Sequence, residues 1–164
     1  MSKTETNLQD AFAGESQANR NYLAFAKKAE QEGHKQVAKL FRAAAAAETI
    51  HAHNHLRELG IVKSTRDNLM HAITGESYEF QSMYPRMIAD AQAEGSAGAL
   101  RSFNLANEVE KVHAALYQKA LDSLGRSVDA DYYVCSVCGY TAEGEAPEQC
   151  PVCKAKKQAF HRAE

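Results

Sequence analysis

The sequence predicts an all-α protein, a four-helix bundle followed by a small domain held together by a metal. Three observations point there. Apolar residues recur at helical spacing through four long segments, each closed by a glycine. The first two segments resemble the last two. Behind them sit all four cysteines, as Cys135-x-x-Cys138 and Cys150-x-x-Cys153. A chain of 164 residues has room for one bundle and an appendage.

The helices are expected over about residues 5–32, 35–59, 66–93 and 96–123, with Gly33, Gly60, Gly95 and Gly125 just past their ends. Thr65 and Ser96 are the expected N-caps of the third and fourth. Within the second helix, "AAAAAETIHAHNHL" (43–56) opens on a run of alanine, which favours helix strongly. Glu48, His51 and His55 then share one face, while His53 points elsewhere. A Glu-x-x-His step is a solvated face or half of a metal site, and a single one cannot decide.

The repeat narrows the choice. "NLQDAFAGES" (7–16) aligns with "NLMHAITGES" (68–77) at an offset of 61. From Tyr22 and Tyr84 onward the offset is 62, and there Phe41 meets Phe103, Glu48 meets Glu110 and His51 meets His113. The first helices of the two hairpins contribute Glu15 and Glu76, also equivalent. One Glu from each of two helices, with Glu-x-x-His from each of the other two, is the pattern of di-iron and di-manganese carboxylate bundles. Four carboxylates offset the charge of two divalent ions and can bridge them, and two imidazoles complete the shell.

The change of offset places one extra residue between Ser77 and Tyr84. An inserted residue turns everything after it by about 100° unless a π-type bulge absorbs it. Pro85, with no N–H to give, already disturbs the ladder there. A π-type irregularity is therefore expected near Tyr78–Met83. Glu79, one turn from Glu76, becomes a seventh, asymmetric carboxylate. Tyr22 and Tyr84 lie two turns beyond Glu15 and Glu76 and are expected to donate hydrogen bonds to the ligand carboxylates. His53 and His55 are assigned to solvent or a capping contact, and His34, His71 and His161 show no ligand spacing.

The tail pairs its two knuckles across eleven residues, which gives a tetrahedral four-thiolate site for zinc or a single iron. So short a segment cannot bury enough apolar surface to fold without the metal. Tyr132, Tyr133, Tyr140 and Phe160 are expected to cluster around it, and Lys154 stands where a glycine is usual after Cys-Pro-x-Cys. The boundary between bundle and tail falls in "DSLGRSVDADYY", giving domains 1–125 and 131–164.

Composition excludes other classes. With 19 basic and 21 acidic residues there is no basic stripe for nucleic acid or an anionic membrane. No apolar run approaches a membrane span, and "MSKTETNLQD" lacks the apolar core of a secretory signal. A cytoplasmic, reducing setting is expected, where clustered cysteines bind metal rather than form disulfides.

Taken together, "AGES", "AETIHAHNH", "TGESYEFQSMYP", "EVEKVH" and "YYVCSVCGY…CPVC" resemble the rubrerythrin family over essentially the whole chain. The resemblance implies a ferritin-like bundle with a non-haem di-iron centre, followed by a rubredoxin-like domain with one iron on four cysteines. By position, the di-iron ligands are Glu15, Glu48, His51, Glu76, Glu79, Glu110 and His113. Glu48 and Glu110 bridge the irons, and His51 exchanges with Glu79 on redox change. The thiolate iron is held by Cys135, Cys138, Cys150 and Cys153, and zinc can substitute for it.

The activity implied is reduction of hydrogen peroxide to water, part of the response to oxidative stress, with electrons from NAD(P)H relayed through a separate reductase or rubredoxin. The alternative is a ferritin-like ferroxidase or iron-sequestering protein with a structural tail. A third reading is a metal-stabilised interaction protein. In a ferritin-like bundle the second and third helices run parallel, so the chain from Glu48 to Glu76 must climb about 33 Å. Residues 60–64 reach at most about 18 Å. A domain-swapped homodimer, each bundle taking one hairpin from each chain, is therefore expected.

Overall fold

The computed structural model describes residues 2–126 and 129–163, which form two compact units, Met1–Lys63 and Ser64–Glu164. The first is a helical hairpin of α1 (Lys3–Gln31) and α2 (Lys35–Glu58). A capping box starts α1: Glu5 N–H donates to Ser2 Oγ, and Ser2 N–H donates to the Glu5 carboxylate. Gly33, at φ 82°, reverses the chain after α1. The N–H groups of His34 and Gly33 then return to the carbonyls of Ala29 and Glu30. The two helices meet through alanine. Ala26, Ala29, Ala38, Ala45 and Ala52 are the buried residues of the pair, and side chains this small let the backbones approach closely. Asn19 adds a cross-tie, its Nδ2 donating to Ala45 O at 2.7 Å and to Thr49 Oγ1 at 2.9 Å.

The second unit opens with α3 (Thr65–Tyr78), runs through a π-helical turn (Glu79–Met83) into α4 (Tyr84–Ala93), and returns as α5 (Ala97–Asp122). The irregularity expected from the shift in repeat offset is thus present, closed by the Tyr84 N–H on Glu79 O. It carries the chain past Pro85 into α4. The expected cap at Thr65 is corrected to Ser64, whose Oγ accepts from Asp67 N at 3.1 Å and donates to the Asp67 carboxylate at 2.6 Å. Ser64 wins because Asp67 lies three residues on, at the reciprocal position of a capping box. Ser96 does take the cap position of α5, but without a side-chain hydrogen bond. Its N–H instead closes the end of α4 on Ala91 O.

The same unit ends in a small antiparallel sheet, β1 (Tyr132–Cys135), β2 (Thr141–Glu143) and β3 (Phe160–Arg162), in the order β2-β1-β3. Register is set by Tyr133 opposite Ala142 on one side and Arg162 on the other. The sheet meets α5 through Lys119, which donates to the Glu143 carboxylate, and through Gly139, which lies beside Val109. The expected linker runs through Ser127 and Val128, which lie outside the described residues.

Candidate metal centres

In the first unit, α1 supplies Glu15 and α2 supplies Glu48 and His51, and one ligand atom from each falls within 4.8 Å of the others. His51 Nδ1 lies 2.8 Å from Glu48 Oε2 and 3.8 Å from Glu15 Oε1. In the second unit, Glu76 of α3 joins Glu110 and His113 of α5 in an equivalent trio. His113 Nδ1 lies 2.8 Å from Glu110 Oε2. The repeat read from the sequence is therefore also a repeat of geometry. It extends to the rings: Tyr22 packs on Phe41 at 6.0 Å between centroids, and Tyr84 on Phe103 at 6.2 Å.

Electrostatics mark the second trio as a place that lacks positive charge. Burial and the neighbouring Glu110 push the Glu76 carboxyl up to about 7, with a hydrogen bond to Glu110 and the charge of Glu79 adding to the shift. His113 pulls the other way. Burial and then Glu110 raise the Glu79 carboxyl as well, but the expected seventh carboxylate is not among the three residues whose ligand atoms converge. Converging carboxylates raise each other's proton affinity, and a divalent cation relieves that repulsion directly. The donor set, oxygen and imidazole, suits iron or manganese.

Tyr84 is held protonated by burial, then by Glu110, Glu79 and Glu76. Neither Tyr22 nor Tyr84 makes a hydrogen bond to a carboxylate among the described residues, and both pack through their rings. Tyr117 was missed by sequence reasoning. Burial and the charges of Glu76 and Glu110 raise its hydroxyl in the same way. The signal existed, since Glu110, His113 and Tyr117 lie at spacings of three and four on α5. A cleft of about 350 Å³ opens beside His113, lined by Leu69, Leu116, Tyr117, Tyr132 and Thr141. His34, His53, His55, His71 and His161 belong to neither trio.

In the tail, the four Sγ atoms lie within 4.8 Å of one another, with Cys135 to Cys153 and Cys138 to Cys150 each at 3.6 Å. Four thiolates about 2.3 Å from a tetrahedral ion stand about 3.8 Å apart, so the quartet fits a metal and not a disulfide. Each knuckle closes the same way: Gly139 N–H donates to Cys135 O at 2.8 Å, and Lys154 N–H to Cys150 O at 3.0 Å. Lys154 takes the glycine's place with φ 64°, and its Nζ donates back to Pro151 O. Burial raises the Cys138 and Cys153 thiols. At Cys150 burial also acts upward, but the N–H groups of Cys153 and Val152 outweigh it and the thiol is lowered. Of the expected aromatic cluster, Tyr140 and Phe160 meet edge to face at 6.3 Å.

Helical hairpins bearing paired carboxylate–histidine trios, with a four-thiol tail, define a class of non-haem metalloprotein, and comparison with known proteins identifies which. The family model described as Rubrerythrin matches residues 6–121, and that of the rubrerythrin rubredoxin-like domain matches 133–161. The chain is 38% identical to rubrerythrin-2 of Clostridium acetobutylicum, covering 93% of this chain and 92% of that one. Nigerythrin of Nitratidesulfovibrio vulgaris is also 38% identical, covering 98% and 86%. Nigerythrin structures in mixed-valence and all-ferrous states superpose with TM-score 0.61 at 36% identity, over 99% of this chain and 88% of that one. The chain belongs to the rubrerythrin family. The family's cofactors are an iron pair on glutamate and histidine and one iron on four cysteines, and both fit the residues gathered here.

Proposed function

We propose that the protein is a rubrerythrin-type peroxidase that reduces hydrogen peroxide to water. The observation that supports this best is the presence, in one chain, of two equivalent Glu, Glu-x-x-His trios and a thiol quartet of metal-binding geometry. When bound, the iron pair supplies two electrons to the O–O bond, and the thiolate-held iron returns them singly from an NAD(P)H-linked reductase or rubredoxin. The remaining work belongs to the chain. Residues 1–125 form the helical domain and 131–164 the electron-accepting one. Glu15, Glu48, His51, Glu76, Glu110 and His113 would hold the pair, Glu48 and Glu110 being the carboxylates that would be shared between the two ions. Glu79, on the π turn, would be the ligand that alternates with His51. Tyr84 and Tyr117 keep their hydroxyl protons, both hydroxyls being raised by burial first and then by the nearby carboxylates.

Each unit offers only half of such a site. The connection between α2 and α3, Leu59–Ser64, is shorter than the climb a ferritin-like bundle demands. A second copy of the chain supplies the other half in a swapped homodimer. It also covers apolar side chains that a lone hairpin leaves exposed, such as Leu40 and Ile50 of α2. Among the described residues no helix is long and apolar enough to cross a membrane. A cytoplasmic setting suits thiols that must stay available to iron.

The test is to replace Glu48 and Glu110 by alanine and follow peroxide turnover beside the visible absorption of the tail. Turnover should fall by more than about 100-fold, beyond what loss of an outer hydrogen-bond partner costs, while the red thiolate–iron absorption is unchanged. A red protein inert to peroxide that oxidises and retains ferrous iron is instead a ferroxidase.

A further inference from the structure

The two trios differ at the far side of the histidine. His113 Nε2 lies 3.1 Å from Thr141 Oγ1, at the start of β2 in the tail. Thr141 Oγ1 in turn lies 3.2 Å from Gly139 O, to which it donates its single hydroxyl proton. When that proton goes to Gly139 O, Oγ1 accepts from His113 and Nε2 carries the hydrogen. The nitrogen 2.8 Å from Glu110 Oε2 is Nδ1, the one then left to bind a metal. The described partners of His51 are Glu48 and Glu15, both approached by Nδ1. His51 is also the more open of the two, 53% exposed against 27% for His113.

We propose that Thr141 is a positioning residue for the metal centre: the tail reaches onto α5 and locks His113 in its Nε2–H tautomer, with Nδ1 aimed at the iron. The inference rests on the di-iron reading of the trios. It follows that the tail holds the histidine of the second trio in place. Gly139 directly follows the ligand Cys138, so the same hydrogen bonds tie the seat of His113 to the first thiolate knuckle.

Thr141→Val removes the hydroxyl and keeps the branched shape that suits a strand, and Thr141→Ser restores the hydroxyl. Ferrous iron and cobalt(II) affinity of the helical site is measured by titration, with the tail's thiolate absorption recorded alongside. Losing an outer hydrogen-bond partner costs about 10–100-fold in metal affinity. T141V should therefore bind 10–100-fold more weakly, T141S close to the parent, and the tail absorption should be the same in all. Histidine nitrogen NMR of the zinc-loaded protein should show His113 solely as the Nε2–H tautomer in the parent and mixed in T141V. Equal affinity and an unchanged tautomer in T141V overturn the proposal. So does a T141S variant as weak as T141V, since packing alone would then explain the loss. A parent that binds no metal at the helical site overturns the di-iron reading itself, and this inference with it.

Discussion

Lys154 occupies a left-handed backbone position that its counterpart in the other knuckle fills with Gly139. For a residue with a Cβ that conformation costs about 1–2 kcal/mol. Lys154→Gly should raise the stability of the tail by about 1 kcal/mol, read as a slower loss of thiolate–iron absorption in denaturant. At Glu76 the carboxyl is held at about 7 against an ordinary 4.5, burial first and Glu110 second. The folded metal-free chain therefore keeps a proton that the unfolded chain has released across that interval. Stability of the metal-free protein should fall as pH rises from about 4.5 to 7, then level off, as denaturant midpoints at successive pH values will record. A bound divalent ion displaces that proton, so iron affinity should rise over the same range. Thr141 was not legible in the sequence because its partner is set by the tail folding onto α5, a contact no local pattern announces. Tyr117 was hidden for a different reason: its repeat mate is His55, so similarity between the halves pointed away from it.

The π turn shows the opposite case, an element whose existence followed from arithmetic on the sequence. A one-residue change of offset had either to rotate α4 or to be absorbed, and Glu79–Met83 absorbs it. Helix ends at Gly33, Gly60 and Gly95 were equally legible, since the backbone there needs positive φ. The start of α3 was misread by one residue because Ser64 and Thr65 are both good caps, and only the reach to Asp67 separates them. Because the extra residue is absorbed locally, deleting Ser82 should convert the turn to ordinary α-helix and leave Ala91 packed where it is. The deletion should cost no more than about 1 kcal/mol by thermal unfolding, yet slow peroxide turnover by withdrawing Glu79. Deleting Asn104 from the unbroken α5 turns Val109, Glu110 and His113 together by about 100°. That variant should lose metal binding at the helical site while the four-thiol site still takes its iron.

At the scale of the whole molecule, the division into units at Lys63 and Ser64 falls between the two copies of the repeat. Each copy holds one trio and buries mainly alanine, and on the swapped-dimer reading the trio of a second copy completes the site. Dimerisation should therefore depend on the length of the hinge. Inserting about ten flexible residues between Val62 and Lys63 adds roughly 33 Å of reach and should convert the dimer to a monomer that still binds the iron pair, as sedimentation and metal analysis will report. Association between chains leaves little trace in a periodic helical pattern. Here the expectation of a swapped dimer rests on one connection that is too short.

The central claim is that the two trios act as one site that gives two electrons to one peroxide. Rapid mixing of the fully ferrous protein with one equivalent of hydrogen peroxide under anaerobic conditions tests it most directly. Oxidised di-iron absorption should appear in a single fast phase, one peroxide consumed per iron pair, with no hydroxyl radical trapped. Reoxidation no faster than that of free ferrous ion, or of the Glu110→Ala variant, contradicts it.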